Sequence, residues 1–378
     1  MEQVNLFAVH MPAAVDKPLL EVLHSGYIGQ GKKVDEFERK IATYLGNENV
    51  LTLNSGTSAL ELGLHLSGVK QGTSVVSTPM TCSATNTAIL ARGGRIIWAD
   101  IDSETGLIDP VDVARKIEDD TVAIMGVDWG GQSCDWHSLS LTAARYGVRL
   151  IEDAAHALGA FYGHRRVGSG YVDFTAFSLQ AIKSITSVDG GILASKRTSD
   201  SKRGKLLRWY GIDRDTPRKD MRCEEDILEA GWKWHMNDIN ATIGMVQLEY
   251  LEGIIANQRR NARFYYENLK GPKPAFPQSN LLDSSFWLYT LLCESKEQRL
   301  EFMEYMKEKK VMVSQVHARC DTHTCFAPFK KHPLPGVDSF TDRQVSIPVH
   351  WNLSEKEREY VCTTVNSFFV KEKSHAAI

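Results

Sequence analysis

Two stretches of sequence decide the fold: residues 150–157 read Leu-Ile-Glu-Asp-Ala-Ala-His-Ala, and residues 177–184 read Phe-Ser-Leu-Gln-Ala-Ile-Lys-Ser. The first has the pattern of a buried strand that carries a carboxylate, Asp153, near its C-terminal end. The second places the hydroxyl of Ser178 five residues before the amine of Lys183, and a glycine pair at 190–191 then allows a tight backbone turn. Pyridoxal 5′-phosphate (PLP) chemistry requires these groups, because the carboxylate keeps the pyridine nitrogen protonated and the lysine forms a Schiff base.

A third stretch supports the same chemistry. Residues 51–60 read Leu-Thr-Leu-Asn-Ser-Gly-Thr-Ser-Ala-Leu, which predicts a strand end, a turn and then a helix. Backbone N–H groups at a helix N-terminus attract anions, and the hydroxyls of Thr57 and Ser58 add donors. Taken alone, such a turn is usually an ordinary helix cap, but the three stretches together favour a site for a phosphorylated cofactor.

Short apolar runs alternate with amphipathic stretches from about residue 47 to 195. This alternation predicts an α/β fold with a mainly parallel sheet and helices on both faces. Ligands of such sheets bind beyond the C-terminal ends of the strands, where Ser55, Thr81 and Asp153 are expected. We predict a large domain over 1–250 and a smaller C-terminal α/β domain over 251–378, joined by a long helix at about 237–270. Strands are also predicted over 286–292 and 311–316.

The bulk properties exclude several classes of protein. The formal net charge of −3 and the lack of a basic run give no support to binding of nucleic acid or of an anionic membrane. The chain shows no signal peptide and no apolar run long enough to cross a bilayer. Seven scattered cysteines fit a reducing cytoplasm, where we expect the protein to reside. Cys320 and Cys325, with His317 and His323 nearby, lack the usual zinc spacing, so no metal is expected.

Further stretches carry a family resemblance: 26–31 (Gly-Tyr-Ile-Gly-Gln-Gly), 34–38 (Val-Asp-Glu-Phe-Glu), 77–81 (Ser-Thr-Pro-Met-Thr) and 231–240 (Gly-Trp-Lys-Trp-His-Met-Asn-Asp-Ile-Asn). Together with the three stretches above, the chain resembles the DegT/DnrJ/StrS-type PLP-dependent sugar aminotransferases of the fold-type I, aspartate aminotransferase superfamily. The resemblance runs from about Gly26 to Phe368. It implies a fold-type I architecture and a homodimer with shared active sites.

The resemblance assigns roles to individual residues. Lys183 is the expected Schiff-base lysine and proton carrier, and Asp153 is the expected partner of the pyridinium nitrogen. His156 is expected to bond the cofactor's phenolic oxygen or to support Asp153, although a core histidine is nearly as good an interpretation. The cofactor phosphate is assigned to a set of small polar groups: Gly56, Thr57, Ser58 and Ser178.

Two positions depart from the family pattern. Relatives commonly carry an aromatic residue that stacks on the pyridine ring where this chain has Cys82, so either the thiol packs there or another residue, such as Trp129, takes the role. Lys233 and Asn237 match a segment that approaches the phosphate from the neighbouring subunit, but asparagine is more usual at the position of Lys233.

The expected function is transfer of an amino group from an amino acid, with L-glutamate favoured, to a nucleotide-linked keto-deoxysugar, by ping-pong through pyridoxamine phosphate. The nucleotide, the sugar and the keto carbon stay open, and Arg208 and Arg319 are candidates for binding the donor carboxylate. One alternative is a sugar dehydratase, although such relatives replace the lysine with histidine. Others are a non-catalytic PLP-binding regulatory protein and another fold-type I enzyme, such as a cysteine desulfurase or amino-acid lyase.

Overall fold

The computed structural model describes residues 2–216, 220, 226–330 and 332–375 of the 378-residue chain. Its strands are β1 (Val50–Leu53), β2 (Ser74–Ser77), β3 (Arg95–Trp98), β4 (Thr121–Val127), β5 (Arg149–Asp153), β6 (Phe161–Tyr162), β7 (Arg165–Arg166), β8 (Phe174–Ser178), β9 (Gly191–Ser195), β10 (Lys273–Pro274), β11 (Tyr289–Leu292) and β12 (Gln344–Ile347). Its helices are α1 (Asp16–Leu23), α2 (Lys32–Leu45), α3 (Gly56–Leu66), α4 (Ser83–Ala91), α5 (Pro110–Lys116), α6 (Trp136–Tyr146), α7 (Thr198–Leu207), α8 (Asp238–Leu248), α9 (Leu251–Asn268), α10 (Lys296–Glu308), α11 (Pro335–Arg343) and α12 (Glu355–His375).

A seven-stranded sheet with the order β1-β9-β8-β5-β4-β2-β3 forms the centre of the described chain. Strands β3, β2, β4, β5 and β8 pair in parallel, and β9 runs antiparallel to both of its neighbours, β8 and β1. Strand β1 therefore points the same way as the parallel set. The prediction of a mainly parallel sheet is confirmed, and the C-terminal ends of β1, β2 and β5 share one edge.

The helices around this sheet begin and end where the sequence indicates. Asp109 caps α5 with its carboxylate and Pro110 occupies the first helical position, while α6 ends at Gly147, which has a φ of 69°. Residues of α2 at helical spacing (Val34, Phe37, Ile41 and Leu45) are all buried. The amphipathic pattern thus determines which helix face packs on the core.

Three predicted elements differ in the structure. The long helix at 237–270 is wrong, because a turn at Glu249 and Tyr250 separates α8 from α9. The apolar spacing continues across this turn, so the pattern could not reveal it. The strand over 311–316 is reduced to single bridges at Val311 and Ser314, and Val316 adopts a φ of 65°, which interrupts an extended strand.

The predicted strand over 286–292 begins later, at Tyr289. The cause is local, since Phe286 has a φ of 50° and cannot belong to an extended strand. The shortened strand β11 pairs with β10 and β12 in a three-stranded antiparallel sheet.

The core of the C-terminal part gathers apolar residues of α9, β11, β12 and α12, and it also takes in Val4 from the other end of the chain. The backbone of Val4 bonds to Lys310 and Met312, so the N-terminal segment is tied to this part. The division into 1–250 and 251–378 stays a prediction. Within the described residues no helix is long and apolar enough to cross a membrane, and the cytoplasmic location also stays a prediction.

Candidate active site

The strand ends open into one cavity with a volume of about 480 Å³. Ser55, Thr81 and Asp153 all line it, as expected for ligand sites at the C-terminal edge of a parallel sheet. The sequence did not reveal the opposite wall, where Phe7 from the N-terminal segment and Trp287 from the C-terminal part contribute. The two ends of the chain therefore complete a site that the central sheet begins.

One end of the cavity is built for an anion. Ser55 caps α3 by accepting a hydrogen bond from the backbone N–H of Ser58 at 3.0 Å. The backbone of Gly56 approaches Ser178 so closely that a Cβ atom on Gly56 would lie 3.0 Å from the Ser178 Cβ. Because glycine allows this approach, the positive end of α3 lies at the cavity wall beside Thr57 and Ser178.

Ser58 does not have the position that we predicted. Its side chain is buried, its hydroxyl donates to Asn54 Oδ1 at 2.7 Å, and it does not line the cavity. The Ser58 hydroxyl points back to the loop that precedes α3, and Ser55, three residues earlier, lines the cavity instead.

Asp153 ends β5 and is 4% exposed, with its carboxylate at the cavity. Its Oδ2 accepts from the Thr85 hydroxyl at 2.6 Å, and its Oδ1 accepts from the Ala155 N–H at 3.1 Å. Burial raises the pKa of Asp153, and these two hydrogen bonds and the charge of Lys183 oppose that effect. A cationic ligand group would stabilise this carboxylate further.

Glu152, the neighbouring acid, has no part in the cavity. It is fully buried, and its carboxylate accepts from Thr175 at 2.6 Å and also from Tyr171. Because successive residues of a strand point to opposite faces of the sheet, Asp153 faces the cavity and Glu152 faces away from it.

Lys183 lies on the loop after β8 and also lines the cavity. Its Nζ is 3.9 Å from the centroid of the Trp287 ring, and Trp287 Nε1 donates to the carbonyl oxygen of Ile182 at 2.9 Å. Burial lowers the pKa of Lys183 from 10.5 to about 8, although Asp153 and Cys82 raise it. An amine with this pKa is partly neutral near physiological pH and can act as a nucleophile and base.

His156 lines the cavity as well. Its ring stacks on Trp287 with centroids 3.9 Å apart, and its Nδ1 accepts a long hydrogen bond of 3.4 Å from the Gly130 N–H. Burial, followed by the charge of Lys183, lowers the pKa of His156 well below its ordinary value, so the ring is neutral at pH 7. Because Nδ1 accepts, Nε2 carries the proton.

Cys82 lines the cavity, but Trp129 does not replace the missing aromatic residue. Trp129 is fully buried and makes edge contacts with His156 and Phe340. Trp287, whose position in the sequence gives no local signal, is the aromatic side chain that contacts both Lys183 and His156, while Phe7 and Phe177 also line the cavity. Thr85 was also missed, although it lies one helical turn after Thr81 and this spacing is a usable signal.

Neither candidate arginine for the donor carboxylate lies at the cavity. Arg208 is fully buried, is ion-paired with Glu38 and donates to the carbonyl oxygen of Thr52 at 2.8 Å. Arg319 is ion-paired with Asp321 at 2.7 Å and also with Asp338. Both guanidinium groups are thus engaged in structural ion pairs, and these assignments are wrong for the cavity of this chain.

Lys233 and Asn237 lie outside the cavity of their own chain. Lys233 is exposed, with its carbonyl oxygen accepting from Asn54 at 3.2 Å. Asn237 caps α8 by accepting from the Asn240 N–H at 2.9 Å. Across the described ranges, no group of three or more His, Cys, Asp or Glu side chains is arranged to hold a metal ion.

Comparison with known proteins decides the family. The family model described as the DegT/DnrJ/EryC1/StrS aminotransferase family matches residues 11–366. The chain belongs to this family. The resemblance inferred from the sequence is therefore confirmed, and this DegT-family protein is an aminotransferase whose cofactor is PLP.

Named relatives of the DegT-family chain agree. UDP-4-amino-4,6-dideoxy-N-acetyl-beta-L-altrosamine transaminase of Campylobacter jejuni is 30% identical over 370 residues, which is 94% of each chain. The structure of AtS13 from Actinomadura melliaura is 38% identical, covers 97% of this chain and 99% of its own, and has a TM-score of 0.91. Sugar aminotransferase CalS13 from Micromonospora echinospora is 33% identical, with coverages of 96% and 99% and a TM-score of 0.90. The fold-type I α/β architecture is confirmed.

The residues of the cavity fit PLP. A buried carboxylate, Asp153, can hold the ring nitrogen, while the start of α3 with Thr57 and Ser178 can hold the phosphate. Lys183 offers a partly neutral amine at the same cavity. The close approach of Gly56 to Ser178 leaves no room for a side chain where an anion would meet the backbone.

Proposed function

We propose that this aminotransferase moves an amino group from an amino acid, with L-glutamate as the preferred donor, to the keto carbon of a nucleotide-linked deoxysugar. The observation that carries the proposal is that one cavity collects Lys183, Asp153 and the start of α3. Support for the sugar comes from the relatives, since one is named as a transaminase of a UDP-linked amino-deoxysugar and another as a sugar aminotransferase.

The chain's own residues divide the work. PLP held by these residues would supply an electron sink and a carrier for the amino group, so ping-pong kinetics through pyridoxamine phosphate are expected. The Lys183 amine, with a pKa of about 8, takes up and returns protons at the reacting carbon atoms. Asp153 maintains a negative charge at the buried end of the site. His156 is neutral and directs its protonated Nε2 away from Gly130.

The wall opposite the sheet excludes water from the amine. Trp287 covers the side of Lys183, and Phe7 stacks on the same indole with centroids 4.9 Å apart. His317 completes this wall, and burial lowers its pKa to about 4, so it is neutral at pH 7. A dry, uncharged wall beside the amine favours its neutral, reactive form.

The proposed working unit is a homodimer in which each cavity takes residues from both chains. Support comes from the positions of Lys233 and Asn237, which lie outside their own cavity. Asn237 adjoins the Gly29–Gly31 turn, because Asp238 N–H donates to the Gly29 carbonyl oxygen at 2.9 Å and Asp238 Oδ1 accepts from the Gly31 N–H at 2.8 Å. Several apolar side chains along residues 9–28 are exposed, namely Val9, Met11, Leu20, Leu23, Tyr27 and Ile28.

A half-reaction screen tests the substrate class. The protein in its pyridoxamine phosphate form is mixed with UDP-, GDP- and dTDP-linked 3-keto and 4-keto sugars, and the return of the PLP spectrum is followed. The proposal expects rapid return with one nucleotide and one keto position, and an aminated sugar by mass spectrometry. Lys183→Ala is the matched control and should give no turnover. If every keto sugar fails while ordinary 2-oxo acids react rapidly, the sugar substrate is wrong.

The same screen separates the dehydratase alternative. A dehydratase would release a sugar that has lost water and would return no amine to the product. Lys183 opposes this alternative, because it preserves the amine that transamination needs as Schiff-base partner and proton carrier.

A further inference from the structure

Two threonine hydroxyls form a chain that ends on Asp153. Thr81 Oγ1 and Thr85 Oγ1 are 2.7 Å apart, and the Thr85 hydroxyl is 2.6 Å from Asp153 Oδ2. Thr81 is 2% exposed and Thr85 1%, yet both line the cavity with Asp153. The three polar groups are thus enclosed by protein and bonded in series.

The available donors determine which group donates in each of the two hydrogen bonds. An ionised carboxylate can only accept, so the single O–H of Thr85 points to Asp153. The Thr85 oxygen must then accept the proton of the Thr81 hydroxyl. A hydroxyl that receives a hydrogen bond becomes a stronger donor, and the second bond in the series is therefore strengthened by the first.

The C-terminal part of the protein holds Thr81, the first residue of this hydrogen-bond series, in position. Cys320 donates its backbone N–H to the Pro79 carbonyl oxygen at 2.8 Å, and its thiol donates to the carbonyl oxygen of Thr81 at 3.3 Å. The turn that carries Thr81 is thus fixed on both sides. The backbone of Thr81 is thereby held where its hydroxyl can reach Thr85.

A buried carboxylate needs such donors. Burial favours the neutral acid, and a neutral Asp153 could not hold a proton on the cofactor's ring nitrogen. The other titratable groups at this cavity are Lys183 on the loop after β8, Asp189 before β9, His156 after β5, Cys82 before α4 and His317 from the C-terminal part. Both imidazoles are neutral at pH 7, and Lys183 is committed to the cofactor when PLP is bound.

We propose that Thr85 is a positioning residue for Asp153, which, with Thr81 behind it, keeps this carboxylate ionised and oriented toward the ring nitrogen of bound PLP. The hydroxyl pair replaces the positive neighbour that a buried carboxylate would otherwise require. This inference concerns the cofactor alone and is independent of the donor and the sugar.

The test compares Thr85→Val, which keeps the size but removes the hydroxyl, with Thr85→Ser, which keeps the hydroxyl. Each variant is loaded with PLP labelled with ¹⁵N at the ring nitrogen and studied by NMR at one pH. In Thr85→Val we expect the ratio of ring-protonated to carboxyl-protonated form to fall about tenfold, because a hydrogen bond to a charged group is lost. The dissociation constant of PLP should rise. Thr85→Ser should resemble the unmodified protein in both measurements.

Thr87→Val is the matched control, since Thr87 lies on α4, is exposed and bonds the Ala84 carbonyl oxygen at 3.2 Å. It should leave the ¹⁵N signal unchanged. Thr81→Val should shift the ¹⁵N signal in the same direction as Thr85→Val does, but by a smaller amount. If Thr85→Val does not fold, the Thr81→Val result tests the inference in its place. An unchanged ¹⁵N signal in the folded Thr85→Val or Thr81→Val, or a serine variant as impaired as the valine one, would overturn the inference. None of these measurements needs a substrate, so their failure is distinct from failure of the proposed function.

Discussion

Lys183 Nζ lies 3.9 Å from the ring centroid of Trp287, and the same indole donates its Nε1–H to the carbonyl oxygen of Ile182. One side chain from the C-terminal part therefore contacts the reactive amine and also fixes the peptide before it. The amine of a central-sheet loop is positioned by a residue far away in sequence. The contribution of Trp287 can be separated into an aromatic face and a hydrogen bond.

Substitution of Trp287 should show both contributions. Trp287→Phe keeps an aromatic face but loses the N–H donor, whereas Trp287→Leu loses both. We expect kcat to fall about threefold to tenfold in the first and at least tenfold in the second, as one hydrogen bond and one cation–π contact are lost. Trp351→Phe is the control, because Trp351 Nε1 donates to the Ala8 carbonyl oxygen at 3.0 Å away from the cavity wall. Equal kcat values for Trp287→Phe and Trp351→Phe would contradict the role.

Lys183 should be the lysine that binds PLP covalently. Treatment of the holoenzyme with borohydride should bleach the visible band of the Schiff base and leave a reduced adduct on the Lys183 peptide, as shown by peptide mass spectrometry. Lys183→Ala should bind PLP without a covalent bond and lose turnover by several orders of magnitude. Lys202→Ala, which removes an exposed lysine outside the cavity, should leave the adduct in place. An adduct mapped to a different lysine would refute the assignment.

The buried amine of Lys183 should lower the free energy of unfolding of the apoprotein. The pKa of Lys183 is lowered to about 8 in the folded chain from 10.5, so between these values the unfolded chain binds more protons and the free energy of unfolding rises with pH. At pH 7 the full cost is present. Lys183→Met should therefore stabilise the apoprotein by roughly 3 kcal/mol at pH 7 and should flatten the rise between pH 8 and 10.5.

Urea unfolding of apoprotein at several pH values measures this effect. The exposed Lys202→Met provides the control and should follow the unmodified protein at every pH. If Lys183→Met also runs parallel to the unmodified protein, the amine is not destabilised by burial and its lowered pKa is wrong.

Local patterns predicted the parts of the site that adjoin a strand end. Asp153, Gly56, Thr57, Ser178 and Lys183 all line one cavity because the topology brings the C-terminal ends of β1 and β5 together and places β8 beside them. This outcome follows from rules for parallel sheets, which require only the order of strands and helices.

Long-range contacts could not be predicted in the same way. Trp287 reaches the cavity because Phe286 bends the chain at a φ of 50° before β11, and no local pattern indicates where such a bend directs the next side chain. Ser58 failed for a different reason, since a serine at a helix start can face the ligand or the preceding loop and the motif does not distinguish these rotamers. The suggestion that Arg208 binds the donor carboxylate was wrong for this cavity, because the sequence around an arginine does not show whether it binds a ligand or, as here, forms a buried ion pair with Glu38.

The proposed shared site predicts complementation between inactive variants. Lys183→Ala removes the amine of a cavity, and Asn237→Ala removes a group that is proposed to act in the partner's cavity. Hybrid dimers would contain one cavity with both groups intact, so mixing, unfolding and refolding the two variants should restore up to about a quarter of the full activity. Lys183→Ala refolded with the exposed-lysine variant Lys202→Met serves as the control for subunit exchange. A fully active monomer in sedimentation experiments would exclude the shared site.

Asp153 gives the most direct test of the chemistry. Asp153→Asn keeps the size and the hydrogen-bonding capacity but cannot ionise. Because burial raises the pKa of Asp153, folding favours the neutral acid, and the stability that this contributes to the apoprotein at low pH is lost as the pH rises through the folded pKa; the asparagine variant, which cannot ionise, does not have this loss. The apo variant should therefore be at least as stable as the unmodified protein at pH 7. Turnover should nevertheless fall about a hundredfold or more, because the ring nitrogen loses its anionic partner.

Comparison with other variants makes the Asp153 result specific. Ser178→Ala removes a hydroxyl at the phosphate end, so it should weaken PLP affinity more than it slows turnover. Glu152→Gln changes the adjacent acid, whose carboxylate bonds Thr175 and Tyr171 away from the cavity, and it should keep most of the turnover of the folded enzyme. Normal transamination by Asp153→Asn together with a large loss in Glu152→Gln would reverse the assignment. Asp153 would then have only a structural role, as a turn cap bonded to the Thr85 hydroxyl and to the Ala155 N–H.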